Sequence, residues 1–274
     1  MSIPRQNAEP FHFFHYIMPV LLAATVVPSF AYQQAAVHAR MEEAVTTQGE
    51  PVLLDLELEN LGTSDITVDL GADRESNIQL SMISPSGKIA RKSSAARREG
   101  IRFLGTVQLA PGEQYLNQIV LNRWFSFGEI GTYKLEVKLI NNEPLTSDTL
   151  YLQLQVNPAN PNELGIACTA LGSRMRDSKS AEESLAAATA LSYVHDPVVI
   201  PIWESVLRRP DFERFAISGL AQVGNSEAVA VLLRALKDSN ADTRAAITSA
   251  LQAIAQTTTD QSVRSNIETG LAHP

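Results

Sequence analysis

Val52-Leu53-Leu54-Asp55-Leu56-Glu57-Leu58-Glu59 decides the fold of the N-terminal half. Successive side chains of an extended chain point to opposite faces, so Val52, Leu54, Leu56 and Leu58 line a core while Asp55, Glu57 and Glu59 face water. Asn60-Leu61-Gly62 then turns the chain. The alternation returns in Ile66, Val68 and Leu70, and again in Ile78, Leu80 and Met82. Ser84-Pro85-Ser86-Gly87 follows as a turn whose glycine tolerates a positive φ. Beyond Pro111-Gly112, further strands are read in Gln114–Leu121, Thr132–Leu139 and the row Leu150, Leu152, Leu154, Val156. With a leading strand inside His38–Val45, residues 36–156 read as a β-sandwich of about seven strands.

The bulk numbers fit a two-domain globular chain. Among 274 residues 45% are apolar, and 30 acidic against 22 basic residues give a net charge of −8. That balance speaks against binding a phosphate backbone, so nucleic acid is not an expected partner. A single cysteine, Cys168, leaves no intrachain disulfide and no cysteine-based metal site. At the N-terminus, an apolar run from Tyr16 to Ala31, broken by Pro19 and Pro28, ends in Ser29-Phe30-Ala31. Residues 1–31 are therefore expected to be a cleavable signal peptide, too short and too proline-broken to stay as a span. A periplasmic or secreted destination follows, with no stable membrane anchor after cleavage.

Asn157-Pro158-Ala159-Asn160-Pro161-Asn162 can continue neither strand nor helix, which makes 157–162 the expected linker. From Glu163 onward alanine and leucine dominate and the apolar period becomes helical. Ala190-Leu191 with Val194, Gly219-Leu220 with Val223, and Ala250-Leu251 with Ile254 repeat one pattern at spacings of 29 and 31 residues, the length of a helical hairpin. Leu236-Lys237-Asp238-Ser239-Asn240-Ala241-Asp242-Thr243-Arg244, followed by Ala250-Leu251, resembles the HEAT repeat signature. The resemblance implies a short α-α array over residues 163–272. It also implies that Asp242 and Arg244 occupy the inter-repeat polar ladder, broken in the other copies by Ser184 and Glu213. Asp196 and Ser226 are read as helix caps, with Pro197 in the first turn. Three hairpins are expected, with Leu185 to Leu207 as the first. Leu164, Ala167 and Leu171 mark a preceding half-repeat that closes the open end.

A second resemblance lies in Pro111-Gly112-Glu113, Trp124-Phe125-Ser126-Phe127 and Gly131-Thr132-Tyr133-Lys134-Leu135-Glu136-Val137. These resemble the later strands of immunoglobulin-like domains of bacterial exported proteins, without the buried cysteine pair of antibody domains. The resemblance implies that Tyr133 is a tyrosine corner, bonded back to the backbone upstream. Trp124, Phe125 and Phe127 are expected to plug one end of the core, with a binding tip as the alternative.

Recognisable catalytic chemistry is missing. No His-Glu-x-x-His helix, Gly-x-Ser-x-Gly elbow, phosphate loop or calcium loop occurs in the sequence. His38, His195 and His273 are scattered, and Cys168 sits in an apolar helical stretch as a buried small side chain. No cofactor or metal is expected, and the chain is not read as an enzyme, although distant carboxylates could still meet in space. One feature departs from the acidic average: Lys88, Arg91, Lys92, Arg97, Arg98 and Arg102 fall within fifteen residues, against Glu99 alone. This run is either a solvated loop or a dock for an acidic partner protein. The functional expectation is an exported, non-enzymatic protein-interaction scaffold. Its alternative is an inhibitor or accessory subunit of an exported enzyme, acting through a sandwich loop.

Overall fold

The computed structural model describes residues 35–71, 75–90, 105–140 and 149–272. Within them a β-rich region is followed by seven α-helices, and residues 33–274 form one compact unit. Ten strands are present among the described residues, where about seven were expected. The three unforeseen ones are β2 (Val45–Thr47), β6 (Ile89–Ala90) and β7 (Thr106–Leu109); β2 and β6 are too short to show an alternation in sequence, and β7, with Val107 and Leu109 two apart, was overlooked.

The strands make three sheets. β1 (Ala35–Met41), β3 (Leu53–Asn60) and β8 (Gln114–Val120) form the first, with β3 central and antiparallel to both neighbours. The second has the order β2-β10-β9-β5-β6, where β5 is Ile78–Ile83, β9 is Gly131–Leu139 and β10 is Leu150–Asn157. β4 (Ile66–Asp69) pairs with β7 in a two-stranded ribbon. Inward rows from all three sheets, among them Leu54 and Leu56 of β3, Val68 of β4, Leu80 of β5 and Leu135 of β9, bury one another in a single core. Gly87 at the β5–β6 turn has φ +79°, the left-handed backbone that its place in the turn implied.

β10 ends at Asn157 and the first helix starts at Pro161, with Asn160 as N-cap accepting from Asn162 and Glu163 N–H groups. The helices are α1 (Pro161–Asp177), α2 (Ala181–Leu191), α3 (Ile200–Val206), α4 (Glu213–Val223), α5 (Ser226–Lys237), α6 (Ala241–Thr257) and α7 (Gln261–Ala272). α1 pairs with α2, α3 with α4 and α5 with α6, and α7 closes the series against α5 and α6. The first hairpin is thus α1–α2, complete in itself. The half-repeat expected before Leu185 is instead the first helix of that hairpin. Its buried stripe is Leu164, Cys168, Leu171 and Met175, with Cys168 taking the place given to Ala167.

The small residue of the repeated sequence pattern has a packing cause. A Cβ on Gly219 would lie 2.3 Å from Trp203 Nε1, so the indole of α3, fully buried, occupies the space a side chain on α4 would need. Ala190 is likewise fully buried at the equivalent place. α4 then stops at Gly224, whose φ of +59° supplies the left-handed residue common after a helix end.

The helices also close over the first sheet. Leu53 of β3 and Val120 of β8 are register partners whose side chains leave the β core and join the helical one. Asp55, expected in water, is 4% exposed for the same reason. It is held by Arg40 at 2.9 Å and by the Gln118 side-chain amide at 3.0 Å. Gln118 also donates to Glu42, and Glu42 takes a two-pronged ion pair from Arg174 of α1. Burying Asp55 without these donors would cost several kcal/mol. None of the helices among the described residues is long and apolar enough to cross a membrane.

Candidate functional site

Of the six basic residues singled out in the sequence, the structure places Lys88 alone. It is exposed, just before β6, and its carbonyl accepts from Ser84 N–H at 2.8 Å. Arg91, Lys92, Arg97, Arg98 and Arg102 lie outside the described residues, as do residues 1–31 and His273. Beside Lys88, the Glu129 carboxyl is held below its usual range, first by the Ser86 hydroxyl, which donates to it at 3.1 Å, with the Lys88 charge a smaller contribution.

The aromatic run is structural. Trp124 and Phe125 are buried in the β core, and Phe127 packs against it and meets Tyr133 edge-on at 5.3 Å, which places all three in packing. The Tyr133 hydroxyl donates to the Glu129 carbonyl at 3.0 Å and accepts from the Glu129 N–H at 2.8 Å. This is the tyrosine corner implied by the sequence resemblance, and burial raises the phenol's pKa above its usual value.

Cys168 is fully buried in α1. Its thiol is pushed up to about 12, by burial first and then by the carboxylates of Glu50 and Asp196. A thiol so held stays protonated and unreactive at neutral pH. His38 and His195 are both exposed. Among the described residues no group of three or more His, Cys, Asp or Glu is placed to hold a metal ion.

In the helical array, the repeat period appears as side-chain bonds thirty residues apart. Arg234 of α5 pairs with Glu204 of α3 at 2.7 Å, Arg208 with Asp238 at 2.9 Å, and Thr243 Oγ1 of α6 donates to Glu213 of α4 at 2.6 Å. This corrects the expected ladder. Arg244 turns back to the Ser239 carbonyl at 3.2 Å, and Asp242 is exposed without a partner among the described residues. The link between repeats is carried by Thr243, which is buried and so can bridge α4 and α6. Asp196 caps its turn as read, accepting from Val198 N–H. The cap of α5 is Asn225, which accepts from Ala228 N–H, and Ser226 is already inside the helix.

A row of exposed side chains accompanies this period. Arg214 and Gln222 on α4 recur as Arg244 and Gln252 on α6, both pairs exposed and both thirty residues apart. The sequence reading missed this row because it set Glu213 opposite Arg244, whereas the thirty-residue period puts Arg214 there. The repeat of residue types at thirty residues was the available signal.

A family model of HEAT repeats matches residues 200–272, the segment holding α3 to α7. No curated protein matches the chain in sequence. Among solved structures, the CARDB domain of the PF1109 protein of Pyrococcus furiosus, solved with di-metal ions, is similar at 11% identity and a TM-score of 0.27, covering 46% of this chain and 94% of that one. A β-glucosidase of Listeria innocua in complex with isofagomine is similar at 12% identity and a TM-score of 0.26, over 47% of this chain and 16% of the enzyme. The Erythrobacter marinus β-glucosidase EmGH1 gives 15% identity and a TM-score of 0.28, over 45% of this chain and 15% of the enzyme. The chain thus spans about a sixth of these glucosidases. Its fold is a β-rich region followed by HEAT-type helical repeats, an architecture of protein-interaction modules.

Proposed function

We propose that the protein is an exported, non-enzymatic interaction scaffold, in which an immunoglobulin-like β module carries a short HEAT-type array that presents its helical surface to a partner protein. The observation that carries this reading is the exposed row of Arg214, Gln222, Arg244 and Gln252, repeated with the array's own period on α4 and α6. Side chains needed only for packing recur on the buried face. Recurrence on the exposed face supplies a regular ladder of guanidinium and amide donors suited to carboxylates and carbonyls of another polypeptide. The Tyr133 corner supports the immunoglobulin-like assignment of the β module. Export, to the periplasm or the medium, rests on the sequence of residues 1–31.

The test is site-specific photo-crosslinking of the full chain in its native cells, with the crosslinker at Ser218 or Ser249, next to the row, and at Gln153 on β10 as the control. The expected result is one stoichiometric protein captured from both array positions and not from Gln153, and lost in Arg214→Glu/Arg244→Glu. Equal capture from the control position, or capture that survives the double reversal, contradicts the proposal. N-terminal sequencing of the cell-exported chain tests the compartment: a start at Tyr32 is expected, and a start near Met1 contradicts export.

A further inference from the structure

β2 is one edge strand of the five-stranded sheet, and beside it α1 leaves an open cleft of about 410 Å³. Two large apolar side chains stand exposed in it, Val45 of β2 at 55% and Ile166 of α1 at 72%. Around them lie Glu43, Glu50 and Glu163, three carboxylates with no cationic partner among the described residues. Glu42, also on the rim, is already taken by Arg174. Thr46, which lines the same cleft, is 6% exposed, and its Oγ1 has no hydrogen-bond partner. An exposed apolar pair ringed by unpaired negative charge fits an apolar side chain carried between cations.

This chain carries such a segment at the opposite edge of the same sheet. In Lys88-Ile89-Ala90-Arg91-Lys92 an isoleucine lies between three basic residues, and Ile89, on edge strand β6, is 75% exposed. We propose that the cleft between β2 and α1 receives this segment from a second copy of the chain. Ile89 enters between Val45 and Ile166, and Lys88 beside it meets the carboxylates of Glu43, Glu50 and Glu163, with Arg91 and Lys92, outside the described residues, adding positive charge next in sequence. The contact is between copies because β2 and β6 are separated by the three strands β10, β9 and β5, four interstrand spacings or about 19 Å. Ile89 is tied to its own edge by pairing with Ile83 and cannot cross that distance. The two surfaces differ, so the association is head-to-tail and extends with concentration. Its attraction is between rim charges, so it weakens as salt rises. The proposal is independent of the partner assigned to the array.

Charge reversal in two copies tests it, read by sedimentation velocity on the full mature chain across a concentration series at low and high salt. Wild type is expected to associate at low salt and to dissociate at high salt. Glu43→Lys/Glu163→Lys reverses the cleft, and Lys88→Glu/Arg91→Glu/Lys92→Glu reverses the segment. Either set alone is expected to weaken self-association about tenfold or more. Mixing the two variants should restore it, because a reversed segment meets a reversed cleft while the unreversed pair also remains complementary. A wild-type chain that stays monomeric at all concentrations and salts overturns the proposal, as does a mixture no more associated than its components. If a reversal variant loses its fold by circular dichroism, Ile89→Ser replaces it. Association unchanged in Ile89→Ser also overturns the proposal.

Discussion

β3 and β9 are both central antiparallel strands with apolar residues at every second position, yet their outer faces differ. Along β9, Thr132, Lys134 and Lys138 are exposed between buried Tyr133, Leu135, Val137 and Leu139. Along β3, Leu53 and Asp55 are as buried as the inward row. The inner faces obey the same rule, since both line the β core. The outer face of β9 meets water, and that of β3 meets the first helical hairpin through Leu53 and Val120. A period-two pattern reports which side of a strand faces its own core. Whether the other side is wet depends on elements distant in the chain.

That difference sets what substitutions should do. Leu53→Asp places an unpaired carboxylate in the helical core and is expected to have the largest effect, about 3 kcal/mol or more, with the helical region losing its shared melting with the β region. The matching change on β9, Lys134→Asp, should move the midpoint of urea unfolding by little, because that position is exposed. Equal losses from the two would erase the contrast.

Gly219→Val forces a side chain into the Trp203 indole and is expected to cost about 2–3 kcal/mol, read as a lower midpoint by circular dichroism at the helical band. Tyr133→Phe removes the corner hydroxyl and leaves the Glu129 N–H without its acceptor. About 1–2 kcal/mol is expected, in the β region. Arg174→Ala breaks the part-buried pair with Glu42. The expected loss is at most about 1 kcal/mol and should shrink as salt rises. A larger loss from Arg174→Ala than from Leu53→Asp would mean that the polar bridge, and not apolar burial, holds the helices on the sheet.

Much of the fold was legible because it is written locally. The alternation from Val52 to Leu58, the turn at Gly87, the tyrosine corner at Tyr133 and the hairpin spacing through Leu191, Leu220 and Leu251 each depend on neighbours within one module. The short strands β2 and β6 carry too few residues for a period, and they are the two edges of the five-stranded sheet, β2 flanking the cleft. Leu53, an apolar residue on the outward row of β3, and its cross-strand partner Val120 were given no role in the sequence reading. Their meaning came only from α1 and α2, which follow much later in the chain. The candidate basic site is a matter of sequence alone beyond Lys88, and the repeated Arg and Gln positions on α4 and α6 were overlooked because the repeats were aligned one residue out of step, with Glu213 in place of Arg214 opposite Arg244.

The central claim is that apolar burial of the outer face of β3 makes the sheets and the helices one cooperative unit. The two tryptophans report the two regions separately, Trp124 in the β core and Trp203 in the helical core. In a urea titration of the 5-fluorotryptophan-labelled chain followed by fluorine NMR, the native resonances of both should vanish at the same midpoint, and separate in Leu53→Asp. Two well-separated midpoints in the unmutated chain would contradict the account and make the helices an independent domain resting on the sheet.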